Sequence, residues 1–300
     1  MMLLYLHIVA FLIHLASGIG SIFLHINDAK SGVLNPLHTY EKNIAYNTTT
    51  ERVTSIHAIS LITLNELITC FSHGVGIYYL YVLNVKKTKV INNYELFRRT
   101  YEYTITAWLL QCAIILHSGD AFMHDLLILF ICNLVIQFTG VSIDMFRQSK
   151  TMGKREKEMS VTWSFRMAFA LLAAQFLYVL IHCLNFESTE SRTFDIVLIV
   201  LYCVLYLSFG VVKYIENEMK VNKIYVALSV TTKVVLSYII IGSTHLSYLN
   251  RYDTNLLPDD VVDYDWEAIL VVGSLVLILS SVYLVYIIYN EEEEKKRRDI

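Results

Sequence analysis

Charge and proline are both scarce in this sequence. Asp, Glu, Lys and Arg make up 17% of the 300 residues, whereas soluble proteins carry about a quarter. Hydrophobic residues make up 55% and the mean hydropathy is +0.49, so the composition indicates an integral membrane protein. With two prolines and eleven glycines, the chain is not fibrous or of low complexity. A net charge of −3 gives it no basic surface for nucleic acid.

Cysteine is also rare, and it is confined to apolar stretches. No disulfide framework is therefore predicted, and the thiols are expected to pack as small hydrophobic groups. The five are Cys70, Cys112, Cys132, Cys183 and Cys203. No spacing of His, Cys, Asp or Glu suggests a metal site, and neither an enzymatic activity nor catalytic residues are predicted.

Eight apolar runs are long enough to cross a bilayer as helices, since a spanning helix needs roughly 20 residues. Their continuity favours helices over the alternating strands of a membrane barrel. His7 and His14 interrupt the first run and no basic residue precedes it, so it is predicted to be a retained helix rather than a signal peptide. The runs cover residues 3–24, 54–83, 97–118, 122–145, 162–184, 194–213, 223–243 and 267–289.

The distribution of basic residues predicts the orientation of these spans. If the N-terminus is cytoplasmic, 17 of the 24 Lys and Arg residues fall in or beside cytoplasmic segments, five fall outside, and Arg166 and Lys233 lie within spans. The positive-inside rule therefore favours a cytoplasmic N-terminus. The C-terminus is then cytoplasmic as well, provided that the eighth run also spans.

The predicted organisation follows from these runs. Residues 1–245 form an all-α bundle of seven spans with a long extracellular loop at about 25–52, where a short β-hairpin is plausible. Residues 246–266 form an extracellular acidic linker, 267–290 an eighth span, and 291–300 a charged cytoplasmic tail. Membrane lipids are the one set of partners that this composition implies directly.

Three ionisable residues stand out within the predicted spans, Lys233, Glu102 and Glu66. A charge there is costly enough to be a functional hypothesis by default. Lys233 lies ten residues beyond Lys223, roughly 15 Å into the bilayer, so it needs a carboxylate partner or a covalent attachment. A direct pair with Glu102 requires the third helix to begin before residue 97, and Ser229, one turn before Lys233, is expected to bind the ammonium or its partner.

Aromatic residues recur at helical spacing near these charges. Tyr202, Tyr206 and Phe209 stand at i, i+4 and i+7 of the sixth run, and Tyr103 follows Glu102. Such stripes are usually packing residues. Around a buried lysine they also predict a long, flat apolar slot.

Together these motifs resemble the heliorhodopsin family of microbial-type rhodopsins. The resemblance rests on Arg99-Thr100-Tyr101-Glu102-Tyr103, on Ser229-Val230-Thr231-Thr232-Lys233, and on the inverted orientation. His14 and His73 look like the paired histidines of that family's polar cavity. The resemblance covers about residues 1–245, so the eighth run departs from it.

The resemblance implies that Lys233 holds all-trans retinal as a protonated Schiff base, that Glu102 is its counterion, and that Ser229 replaces a second carboxylate. The aromatic slot would hold the polyene. It also implies a slow photocycle, a sensory role with a signalling partner that the sequence does not identify, and a homodimer. Proton pumping is disfavoured because Ala113 stands where pumps place a donor carboxylate.

Two other functions stay open. Some viral relatives resemble light-gated proton channels, and a polar path is predicted along Glu102, Glu66, His14 and His73. It would also include Arg99 and Glu216. Alternatively, Glu66 is simply hydrogen-bonded to Asn65 or a neighbouring helix and conducts nothing. The third reading is a transporter that does not respond to light and uses Lys233 and Glu102 as a gating pair.

Overall fold

A computed structural model describes residues 2–30, 35–40, 50–56, 58–85, 88–118, 121–185, 192–214 and 218–252. Most of the predicted acidic linker, the eighth apolar run, the charged tail and Glu216 lie outside these residues.

The described residues are mostly helical. Seven α-helices follow one another, and the second continues into a π-helical turn at Tyr78–Val82. The helices are α1 (Met2–Lys30), α2 (Ala58–Ile77), α3 (Thr88–Ser118), α4 (Met123–Gln148), α5 (Lys154–Asn185), α6 (Arg192–Tyr214) and α7 (Glu218–Tyr252).

Six of these helices are long and apolar enough to cross a membrane, so the prediction of a multi-pass helical membrane protein is confirmed. The predicted count of seven or eight spans is higher than the six found among the described residues. Among the described helices α3 is the exception, because Glu95, Arg98, Arg99 and Glu102 lower the hydropathy of its first half. The predicted eighth run lies outside the described residues.

Neighbouring helices run in opposite directions. His7 of α1 contacts His73 near the end of α2, and Ser72 of α2 contacts Glu102 of α3. α7 packs against α1, α2, α3 and α6, so it closes the bundle. In its span 83% of the residues are buried, against 22% in those of α4, α5 and α6, which makes α7 the central helix.

A small sheet joins two of the connections. β1 (Asn35–Tyr40) pairs antiparallel with β2 (Thr50–Ile56) within and just beyond the predicted loop at 25–52. β3 (Ala121–Phe122), between α3 and α4, pairs parallel with β1. The sheet therefore lies at the end of the bundle where α3 ends, away from the start of α3.

Two helices begin eight or nine residues earlier than their apolar runs. α3 begins at Thr88 instead of 97, and α5 at Lys154 instead of 162. The added turns of α5 contain Lys and Glu, which are good helix formers although they are polar. The added turns of α3 bring Glu95 and Asn92 into the bundle, where both have side-chain partners.

Candidate functional site

The buried lysine and the buried carboxylate form a direct ion pair. Lys233 Nζ donates to Glu102 Oε1 at 2.5 Å, and each residue is 3% exposed. The ammonium also donates to Thr69 Oγ1 at 2.9 Å and lies 4.9 Å from the centre of the Tyr103 ring. The sequence left open whether this pair is direct. It is direct, and α3 begins before residue 97, as a direct pair required.

Both oxygens of Glu102 have further partners. Ser229 Oγ donates to Oε1 at 3.2 Å, as its position one turn before Lys233 predicted. Ser72 Oγ donates to Oε2 at 2.6 Å, and Arg98 Nη1 donates to the same oxygen at 2.5 Å. Glu102 therefore bridges two cations, and these charge-assisted hydrogen bonds stabilise its ionised form.

Arg98, which the sequence placed at a membrane boundary, lies inside the bundle. Its Nε and Nη2 donate to Glu95 Oε2 at 3.2 and 3.0 Å, and it is 8% exposed. Sequence reasoning missed both Arg98 and Glu95. Their spacing from Glu102, four residues for Arg98 and seven for Glu95, was the signal that could have found them, because it puts all three on one helix face.

Arg99, predicted for the polar path, lies on another face of α3. Its guanidinium carbon is 4.3 Å from the centre of the Tyr225 ring. The structure brings Arg98 rather than Arg99 to Glu102, since adjacent helical residues point about 100° apart.

Glu66 is held by a histidine. His14 Nδ1 contacts Glu66 Oε2 at 2.6 Å, Ser237 Oγ donates to Oε1 at 2.5 Å, and Asn65 Nδ2 donates to Oε1 at 3.3 Å. The ring of His14 stacks on His73 with centroids 5.7 Å apart. The structure therefore brings Glu66, His14 and His73 together. It also shows the hydrogen bond to Asn65 that belongs to the alternative in which Glu66 conducts nothing.

A third histidine, His7, connects this group to Glu95. His7 Nδ1 and His73 Nδ1 are 2.9 Å apart, so one donates and the other accepts, and His7 Nε2 is 3.1 Å from Glu95 Oε1. The sequence offered His7 only as an interruption of an apolar run. Its seven-residue spacing from His14, which matches that between Glu66 and His73, was the missed signal.

A cavity opens beside Lys233. Its walls come from α3, α4, α5, α6 and α7, and the space between them, open mouth included, is about 1040 Å³. The four predicted aromatic residues all line it together with Lys233, and they are Tyr103, Tyr202, Tyr206 and Phe209. Thr106, Ile136, Phe169 and Leu172 are also among the lining residues. An apolar cavity with a few polar groups in its wall is the usual form of a site for a small organic ligand.

A neutral polar network lies behind Tyr202 and Tyr206. Gln111 Nε2 donates to the Tyr202 hydroxyl at 2.5 Å, and Gln111 Oε1 accepts from Asn133 Nδ2 at 2.5 Å and from Gln175 Nε2 at 3.0 Å. The Tyr206 hydroxyl donates to Asn133 Oδ1 at 2.9 Å. Sequence reasoning identified the two tyrosines but none of the amides.

The arrangement offers defined chemistry. A buried primary amine faces an apolar cavity, and a carboxylate beside it can receive its proton.

No family model matches the chain, and a search of curated proteins finds no similar sequence. The functional interpretation therefore rests on the residues and their geometry.

Proposed function

We propose that the chain is a light-absorbing retinal protein of the heliorhodopsin type, with Lys233 as the attachment residue and Glu102 as its counterion. One observation carries the proposal: the 2.5 Å pair of Lys233 and Glu102 lies at the wall of a cavity lined by aromatic side chains. A buried lysine with this surrounding is suited to an aldehyde ligand, because its neutral amine can condense with an aldehyde with loss of water.

The residues present fit retinal. Tyr103, Tyr202, Tyr206 and Phe209 give the cavity flat apolar walls, which suit a polyene. Lys233 supplies the amine, and Glu102 balances the positive charge that remains on its nitrogen. Retinal bound there would supply the absorption of visible light.

The side chains around Glu102 control where the proton of Lys233 Nζ can move. Glu102 Oε1 is the nearest acceptor, and Ser229 donates to the same oxygen. Arg98 and Ser72 hold Oε2, so the carboxylate cannot rotate freely. A change of charge at Nζ therefore acts on Arg98 and, through Glu95, on α1. This route supports a sensory role with a slow photocycle and a signalling partner.

The proposal includes the finer topology. α3 would be a seventh span, because the charges that lower its hydropathy are bonded inside the bundle rather than exposed to lipid. The N-terminus would be cytoplasmic, as the basic residues predict. The homodimer also stays a prediction. Labelling of single cysteines introduced at either end of α3 in intact cells tests the topology.

Colour is the decisive test. The protein expressed with all-trans retinal should absorb visible light, and Lys233→Ala should be colourless. The matched control is Lys150→Ala, which removes an exposed lysine outside the cavity and should leave the colour unchanged. Colour that never appears would favour the light-independent transporter, and colour that survives Lys233→Ala would exclude Lys233 as the attachment site.

A second candidate is a light-gated proton channel. The observation that favours it is the succession of buried contacts from Glu66 through His14, His73 and His7 to Glu95. Groups of this kind conduct protons in membrane proteins.

Voltage clamp under illumination separates the channel from the sensor. Photocurrents that reverse with the proton gradient and disappear in Glu66→Gln would support the channel. Glu156→Gln, on the exposed first turn of α5, is the matched control and should conduct like the original protein. Absence of current at every potential and pH gradient would support the sensor.

A further inference from the structure

The end of the cavity nearest the start of α3 is positively charged. Arg99 and Lys213 line it together with Tyr225. Tyr225 precedes Lys233 by eight residues on α7, about 12 Å along the helix axis. This end is therefore separate from the amine that the proposed function uses.

Arg99 is buried there without a hydrogen-bond partner for one of its nitrogens. The residue is 7% exposed, and its Nη1 has no acceptor among the described residues. Its guanidinium lies against the face of Tyr225, which is a favourable contact but accepts no conventional hydrogen bond. A buried donor of a charged group left unsatisfied is costly, so this nitrogen indicates a missing acceptor.

The neighbouring charges do not supply that acceptor. Lys213 Nζ is paired with Asp144 Oδ2, and Arg147 Nη1 donates to the Lys213 carbonyl oxygen at 2.9 Å. Arg99 and Arg147 both repel the Lys213 ammonium. Lys213, Arg99 and Arg147 thus bring three positive charges to the surroundings of Asp144. Since Asp144 already binds Lys213 and Arg147 is half-buried, Arg99 is the deeply buried cation that remains to be neutralised.

We infer that this end of the cavity binds a small monovalent anion of the chloride class, held by Arg99 and Lys213. One negative charge neutralises Arg99, and an anion in a cavity of low polarity interacts strongly with a cation beside it. The site needs only the chain itself. It therefore stands whether or not Lys233 carries retinal.

Calorimetric titration of the full-length protein in detergent tests this site. Sodium chloride replaces sodium gluconate at constant ionic strength, because gluconate is a bulky organic anion and serves as the reference for a site proposed to bind a small one. Saturable chloride binding is expected in the original protein. Arg99→Gln should weaken it at least tenfold, and Arg99→Lys, which keeps the charge, should weaken it less.

Two further variants test the site. One should bind chloride more tightly than the original protein, and the other should bind it equally well. Asp144→Asn removes the competing carboxylate and should tighten chloride binding several-fold. Lys150→Gln removes a positive charge from an exposed position outside the cavity and should leave the affinity unchanged.

The site is excluded if the original protein shows no saturable binding, or if Arg99→Gln binds chloride as tightly as the original. If Arg99→Gln does not fold, as judged by gel filtration and helix content, Asp144→Asn decides, and an unchanged affinity in that variant overturns the inference. All titrations are run in the dark with and without added retinal. Failure of the chloride site is therefore distinguishable from failure of the photoreceptor proposal, which is judged by colour.

Discussion

At the scale of single residues, Glu102 is the most constrained side chain of the site. It accepts hydrogen bonds from Lys233 and Ser229 on one oxygen and from Arg98 and Ser72 on the other. Burying an ion pair costs several kcal/mol per ion in desolvation, which is offset only when geometry is good and the other lone pairs are satisfied. The two serines meet that condition, so the pair can persist inside an apolar bundle.

Glu102→Gln should shift the absorption of the retinal-loaded protein to longer wavelength. Light moves positive charge away from the Lys233 nitrogen, and a nearby anion opposes this displacement and raises the excitation energy. The amide keeps the shape of Glu102 but removes that anion. Glu95→Gln is the control, because Glu95 contacts Arg98 rather than Lys233, and it should shift the spectrum much less. An unshifted Glu102→Gln spectrum would mean that another acid is the counterion.

The sequence predicted some of these residues and not others for a geometric reason. Lys233 and Glu102 are apparent from the sequence because an ionisable group in an apolar run is conspicuous. Ser229 follows from its position one helical turn before Lys233. Arg98 and Glu95 lie next to the predicted boundary at residue 97, where charges are expected and attract no notice. The choice of Arg99 over Arg98 was an error of one residue, and one residue turns a helical side chain to a different face.

At the scale of elements, the contact of α1 with α2 depends on a glycine. A Cβ placed on Gly76 would lie 3.0 Å from Cε1 and Nδ1 of His7. The imidazole cannot move away easily, because both of its nitrogens are engaged with His73 and Glu95. The close approach of the two helices at this level is therefore a condition for the His7 contacts.

Gly76→Ala should destabilise the protein by about 1–3 kcal/mol, the usual cost of overpacking a tight contact. Thermal or SDS-induced unfolding in detergent measures it. Gly20→Ala on α1 is the matched control, because nothing lies within 4 Å of its Cβ position and alanine is the better helix former. Combining Gly76→Ala with His7→Ala should cost less than the two changes added separately. Full additivity would show that the glycine does not act through His7.

Element boundaries were less predictable than element number within the described chain. The apolar runs gave each of the seven described helices a counterpart, because every one contains a long hydrophobic segment. They could not locate the starts of α3 and α5, where helix continues through polar residues. For α3 those residues are buried by bonding to other helices, and hydropathy does not register such partners.

At the scale of the whole molecule, the bundle contains two buried polar groups of different kind. Charged residues connect α1, α2, α3 and α7 around Glu102, whereas neutral amides and tyrosines connect α3, α4, α5 and α6 around Gln111. Among the described helices, α3 belongs to both groups. This position explains why α3 is the least apolar of the seven described helices and why it is not among the six that are apolar enough to cross a membrane.

Gln111→Leu should loosen the half of the bundle that contains α4, α5 and α6. The fully buried Gln111 donates to Tyr202 and accepts from Asn133 and Gln175. Leucine removes these three interhelical hydrogen bonds, although both amides keep their bonds to the Leu129 carbonyl oxygen. A buried polar group left unsatisfied costs about 1–3 kcal/mol, and an interhelical hydrogen bond in a membrane contributes about 0.6 kcal/mol on average. We therefore expect a loss of about 1–2 kcal/mol in unfolding free energy.

Hydrogen exchange measured by mass spectrometry shows where that loss falls. Exchange should increase in α4, α5 and α6, while the segment of α1 and α2 around His7 and His73 stays as protected as before, because its contacts do not include Gln111. Gln148→Leu, the same substitution at the exposed end of α4, lies outside the group around Gln111 and should leave exchange in α5 and α6 unchanged. Uniform deprotection of all seven helices would instead mean that the two polar groups form a single cooperative unit, joined through α3.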